Sequence, residues 1–479
     1  PLFFGGVVFL FTAACIAVML IYSDQNQGMG FPLDDAWIHQ TYARNFIDYG
    51  NFYYQPGQVS AGSTAPLWTF ILAIGHRIGH PFVWTYVIGF LLLLGTSILG
   101  EYSFRALTGR GGRIPWMGLF LAGEWHLLWA AGSGMETILF IFLEMLVLAA
   151  LLQERLRWLE LAIILGVMVW TRPDGITWLG PILFAFFYKS SWRKEWKKIG
   201  LFLLAAFTVI SCYLWFNQSI GGSWLPNTFA AKQAEYGLLI QTPVITRFFR
   251  LFSLPWIGAG VFLLPGLVAL VPALLSSWKR LDDHEVLLKK KYSYLLIALM
   301  LWVLGYILVY ALRLPVTYQH GRYMMPIMPV LYLMGANGID FLRKIKVPSC
   351  LLVRVWKKVW SYSSGLVWLG FMILGIYRYS QDVAIINTEM VKTALWMREN
   401  LPEDAIVAVH DIGAVGYYSQ RQLIDLAGLI TPEVVPIIRN EEVLLGYILD
   451  KNANYLVTFP GWYDLLDNNL EVVYQSNGR

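Results

Sequence analysis

The sequence predicts a polytopic α-helical membrane protein of about eleven transmembrane helices, closed by a small extracytoplasmic α/β domain at its C-terminal end. Three observations carry this reading. Of the 479 residues, 57% are hydrophobic and only 14% are charged, against about 25% charged in soluble domains, and mean hydropathy is +0.54. Apolar stretches of roughly span length recur through residues 1–377. Lysine and arginine collect on alternate loops, as membrane insertion demands.

The expected spans run approximately over 2–22, 82–104, 114–131, 136–152, 158–171, 175–188, 199–216, 254–277, 292–312, 323–341 and 359–377. The third to sixth are short, as tilted or re-entrant segments are. The stretch from Leu2 to Tyr22 reads as a retained span, since no small-x-small cleavage site stands before the loop that follows. Loops that begin near Arg105, Arg155, Lys189, Lys279 and Arg343 hold twenty-one basic residues, and the opposite loops hold eight. The first set is therefore cytoplasmic. The net charge of +5 carries no nucleic-acid signature, because its basic residues sit in short loops on that one side. Cys15 and Cys212 lie in apolar stretches and Cys350 beside a basic loop, so no disulfide framework is expected.

Chemistry-bearing residues then fall outside. Asp34 and Asp35 follow the first span and open an amphipathic run with Trp37, Ile38, Tyr42, Phe46 and Tyr49 on one face, and His39, Gln40, Arg44 and Asp48 on the other. A turn-rich loop leads to a second amphipathic helix from Pro66, with Ser63 or Thr64 as its cap. Asp34 is read as a general base, because a carboxylate at a helix N-terminus stays ionised. Asp35 is read as its neighbour, orienting substrate or, with Asp34, holding a divalent cation such as magnesium or manganese. The plain alternative is an N-cap with a second acid in the first turn.

Other outer residues form a candidate substrate site. Arg172 and Asp174 flank a tight turn, suited to a phosphate or a sugar hydroxyl, or equally to an internal salt bridge. Glu136 stands at a helix start, where an acid also serves as a cap. Glu124 and His126 fall within the third span and rank below Asp34. Lys232 and Arg322, with His320 beside the latter, are the cations available to stabilise a departing lipid phosphate. From residue 378 the composition changes. Val391 to Asn400 reads as a helix, Ala405 to His410 as a strand, Asp411 to Tyr418 as a turn and short helix, and Tyr455 to Phe459 and Glu471 to Tyr474 as further strands. Tyr417, Tyr418, Trp462 and Tyr463 there suit sugar stacking.

In this order the motifs resemble the polytopic GT-C glycosyltransferases that use polyprenyl-phosphate sugars. The resemblance rests on Asp34-Asp35-Ala36-Trp37-Ile38, Ser63-Thr64-Ala65-Pro66-Leu67-Trp68, Gly134-Met135-Glu136-Thr137, Arg172-Pro173-Asp174-Gly175, Asn227-Thr228-Phe229-Ala230-Ala231-Lys232 and Arg322-Tyr323-Met324-Met325-Pro326. It is closer to arabinofuranosyltransferases of cell-wall synthesis than to protein O-mannosyltransferases. It implies a GT-C membrane module over 1–377, whose outer loop at 23–80 carries the acid pair, and a separate domain over 378–479. It implies an inverting transfer of a sugar from a polyprenyl-phosphate donor to a hydroxyl of a glycan, lipid or protein acceptor. Asp34 would be the base, on the outer face of a bacterial plasma membrane. Met135 and Asp174 depart mildly from the leucine and glutamate common in relatives, and the resemblance does not carry over the family's sugar and acceptor. The rival reading is a transporter or flippase for lipid-linked sugars, which ordinarily places ionisable groups near the bilayer midplane and carries internal repeats. Here the polar residues gather at the outer side and no repeat is evident.

Overall fold

The computed structural model describes residues 2–153, 157–189, 192–279, 290–344, 351–463 and 470–476. Arg155, Arg280, Lys289, Lys346 and Cys350 lie outside the described residues. Among the described residues, six helices are long and apolar enough to cross a membrane: Phe4–Gln27, Pro81–Thr108, Trp196–Gly221, Tyr292–Arg313, Gln319–Lys344 and Val353–Asn400. A seventh passes if Val244–Trp256 and Ala259–Leu275 are one span, bent by 95°. Thr137–Leu152 and Trp158–Thr171 are shorter apolar helices.

The eleven expected segments all become helical, but not as eleven straight spans. The stretch 114–131 divides into Trp116–Ala122 and Trp125–Gly132. The break has a cause: Glu124 turns its carboxylate onto the Leu127 amide at 3.1 Å and caps the second piece. The stretch 175–188 begins as a 3-10 turn, Pro173–Trp178, before the α-helix Leu179–Lys189. Pro173 cannot donate the hydrogen bond that would continue the preceding helix. The last helix runs for 48 residues, on the order of 70 Å, more than twice the hydrocarbon thickness. The C-terminal α/β domain expected from the sequence follows its far end.

That domain holds a three-stranded parallel sheet in which Ile406–Val409 is central, flanked by Gln422–Asp425 and Tyr455–Val457. The expected strand at Glu471 to Tyr474 is irregular instead. Tyr474 stacks on Trp396 at 4.5 Å between ring centroids, and that packing holds the segment against the long helix rather than at the sheet edge.

The domain shares its core with the segment that follows the first long helix. Ile38, Tyr42, Phe52 and Tyr54 are buried together with Met397, Val407, Val409, Val415 and Leu423. A short hairpin, Tyr53–Gln55 with Gln58–Val59, abuts the sheet. The Gln55 amide donates to the Leu423 carbonyl at 2.8 Å and accepts from its N–H at 2.9 Å, imitating one more strand. The helix Asp34–Tyr49 is consequently covered on nearly all sides. His39 and Gln40, expected on a polar face, are 4% and 0% exposed. They remain tolerable inside because each is paired: His39 Nδ1 with Ser63 Oγ at 3.1 Å, Gln40 with Thr85 and His76 at 2.9 Å. Ser63 is thereby occupied, and the helix Pro66–Arg77 starts at Ala65 without a side-chain cap. Tyr417 and Tyr418, expected to stack on sugar, pack around Trp37 at 5.1 and 5.0 Å.

Candidate active site

Asp34 and Asp35 occupy the first turn of Asp34–Tyr49, after an N-cap, Leu33, that has no side-chain bond. Neighbours on one turn of a helix point in different directions, and these two meet different partners. Asp34 accepts the Gly413 N–H at 2.6 Å on one oxygen and the Ala414 N–H at 2.7 Å on the other. It therefore caps a helix, but not its own: the amides belong to the start of Gly413–Tyr418 in the C-terminal domain. Position 413 must be glycine for this approach, since a Cβ there would overlap the Asp34 carbonyl and carboxylate. Tyr54, donating to the Ile412 carbonyl, and Arg44, donating to the Tyr417 carbonyl at 2.6 Å, fix the same contact. Burial raises the Asp34 pKa well above the ordinary carboxylate range, and the Asp411 charge raises it further against the two amides.

Asp35 turns to the cations. Its Oδ2 accepts from Lys232 Nζ at 3.0 Å and from Arg322 Nη2 at 2.9 Å. Burial works to raise its pKa, but the charges of Lys232 and Arg322 override that and hold it far below the ordinary range. Lys232 comes from the helix Asn227–Glu235 and Arg322 from the turn before Met328–Lys344. Both also reach the Tyr323 hydroxyl, at 3.3 and 3.1 Å. Arg322 is 3% exposed, yet its Nε and Nη1 have no hydrogen-bond partner among the described residues. Buried guanidinium donors are rarely left so; these two point to different edges of the guanidinium, and each can donate to a separate acceptor oxygen, such as one of a phosphate.

A second layer backs this pair. Glu136 approaches Arg172 at 3.5 Å and His39 at 3.6 Å, and its Oε2 has no hydrogen-bond partner among the described residues. Arg172 grips Asp174 through two bonds of 3.1 and 3.2 Å and donates to Tyr310 at 2.8 Å. Tyr306 and Tyr310 donate to the same carboxylate at 2.6 and 2.7 Å. Both residues of the expected Arg-Pro-Asp site are thus occupied with each other, the internal-salt-bridge alternative. Arg172→Ala should accordingly lower unfolding stability by about 3–5 kcal/mol, the cost of stranding a buried charge, while lipid-phosphate affinity barely moves. Thermal midpoints beside donor-binding curves check this; lost binding at unchanged stability would make Arg172 a ligand.

His320 does not join the cation pair. Its Nε2 meets Asp382 Oδ2 at 2.7 Å, and Trp129 Nε1 donates to that oxygen at 2.9 Å. Glu124 and His126 pair with each other at 2.8 Å. Sequence reasoning gave no role to Asp382, Tyr323 or the amides of Gly413 and Ala414. Asp382 stood only as an acid just past an expected span, and Tyr323 only as a member of the Arg322-Tyr323 motif.

The residues present do not gather into a divalent-cation site. Asp35 already faces two cations, Asp34 turns to other partners than Asp35 does, and no group of three His, Cys, Asp or Glu suited to a metal occurs among the described residues.

This architecture is that of a known fold: the chain folds like solved structures of ArnT. The particular likeness is to ArnT from Cupriavidus metallidurans. Its apo crystal structure superposes with a TM-score of 0.59 at 14% identity, over 98% of this chain and 96% of that one. The structure of ArnT bound to undecaprenyl phosphate gives 0.57 at 13% identity, over 90% and 89%. Residues 376–477 match a family described as "Domain of unknown function (DUF8728)". No curated protein sequence matches the chain.

Proposed function

We propose that this protein is an inverting glycosyltransferase. It moves a sugar from a polyprenyl-phosphate donor to a hydroxyl of a glycan, lipid or protein acceptor, on the extracytoplasmic face of a bacterial plasma membrane. The observation that carries the reading is the pair Lys232 and Arg322, with two unpartnered buried guanidinium donors beside paired carboxylates. It stands in a fold shared with a protein crystallised with undecaprenyl phosphate.

The residues divide the chemistry between them. Lys232 and Arg322 hold the donor phosphate and stabilise the charge that grows on it as the bond to the anomeric carbon breaks. Asp35 orients both cations. Asp34 takes the proton of the acceptor hydroxyl as its oxygen bonds the anomeric carbon from the opposite face. Each Asp34 oxygen keeps a lone pair beyond the one its amide uses. Its raised pKa suits the task, because a base that titrates nearer neutrality is a stronger proton acceptor than Asp35, whose cations keep it weak.

The sign of the pH dependence follows. Transfer needs Asp34 ionised, so its rate should rise with pH along an acidic limb displaced toward neutrality. Asp411→Asn removes a neighbouring negative charge and should move that limb to lower pH. Rate–pH profiles of the two proteins decide it, and an unmoved or upward-shifted limb would count against Asp34 as the titrating group. The function itself is tested by incubating the purified full chain in lipid nanodiscs with a panel of polyprenyl-phosphate pentoses and hexoses. Neither binding nor transfer of any of them would sink the proposal.

A further inference from the structure

A cavity of about 510 Å³ reaches the residue before the acid pair. Leu33, the residue before Asp34, forms one wall; Trp125, Trp129, His320 and Asp382 form another, with Thr317 at the exposed rim. We propose that this cavity holds the sugar ring of the donor, an assignment that rests on the polyprenyl-phosphate reading above.

Position is the first argument. Gln319, His320 and Gly321 have φ of 57°, 55° and 69°, three consecutive left-handed residues. Only the glycine adopts that region freely, so the other two hold stored strain. The turn they make sends His320 to Asp382 on the cavity side and Arg322 to Asp35 on the phosphate side. Two residues of chain separate the backbones by at most about 7 Å. In a sugar phosphate the anomeric carbon joins phosphorus through a single oxygen, so a phosphate seated on Arg322 must place its sugar close by. The cavity is lined by His320, two residues before that arginine.

Chemistry is the second. His320 lies edge-to-face against two indoles, with centroids 5.3 Å from Trp125 and 5.2 Å from Trp129. Sugars present apolar C–H faces to such rings and hydroxyl donors to carboxylates. Asp382 spends two of about four lone-pair sites on His320 and Trp129, and the rest face ring hydroxyls. A polyprenyl chain in the same space would set the carboxylate's remaining acceptor sites against hydrocarbon, where nothing can satisfy them.

The full chain in nanodiscs, titrated with bare polyprenyl phosphate and with the same lipid carrying a pentose or a hexose, tests this. The native protein should bind one glycosylated lipid at least about tenfold tighter than the bare one. Asp382→Asn, which keeps the side-chain shape, should erase that preference and leave bare-lipid affinity within about threefold. Thr317→Trp, at an exposed position that tolerates bulk, fills the rim and should do the same. The assignment is overturned if the preference survives both changes, if the native protein shows none, or if bare-lipid affinity falls in step, which would make the cavity a lipid site. A native protein that binds neither lipid overturns the donor reading itself, and the cavity assignment with it.

Discussion

Asp34→Asn is expected to reduce sugar transfer by about 10²- to 10⁴-fold, the contribution of a positioned general base, while polyprenyl-phosphate affinity stays within about threefold because both cations remain. The asparagine side chain offers one acceptor oxygen where two amides now converge from Gly413 and Ala414, and turns an NH₂ toward the other. Some loosening of the C-terminal domain will accompany the loss. The two effects separate in the pH profile. Loss of a base removes the acidic limb and leaves a low, flat rate; loss of a cap alone keeps the limb and lowers stability. A variant with near-native turnover would move the role to Asp35 or elsewhere.

Why Asp34 drew two readings from sequence, base and helix cap, is clear in retrospect. The cap reading named the right bond and the wrong helix: the amides it caps lie 379 and 380 residues away. No local pattern encodes that. The apolar segments were legible because span length and composition are local, and so was the central strand Ile406–Val409, a short apolar run ended by His410 and Asp411. The breaks at Glu124 and Pro173 were less so, since each depends on one residue within an apolar stretch. His39 and Gln40 read as a solvated face because helical periodicity reports polarity, whereas Thr85, His76 and Ser63 arrive from other elements and satisfy them inside. The cations Lys232 and Arg322 were picked out for a phosphate. Their convergence on one carboxylate oxygen is tertiary, as is the diversion of His320 to Asp382, which needs left-handed backbone at Gln319 and His320 that neither residue type announces.

Removing the cations should weaken donor binding. Lys232→Ala and Arg322→Ala are each expected to lower lipid-phosphate affinity by about 1.5–3 kcal/mol, the range of a charge-assisted hydrogen bond, read as roughly tenfold or more in Kd. The double variant should lose less than the sum of the two, because both side chains grip the same Asp35 oxygen and neighbours that share a partner do not act independently. With both gone, Asp35 is a buried carboxylate without counter-charge, and its pKa should climb from its present depressed position, so part of any loss is repulsion relieved by protonation. Arg322→Lys sorts charge from geometry. Lysine restores one positive centre but not the directed Nε–H and Nη1–H donors that stand unpartnered, so it should recover only part of the affinity. Full recovery by lysine would mean that a point charge suffices. Unchanged affinity in both alanine variants would place the phosphate elsewhere.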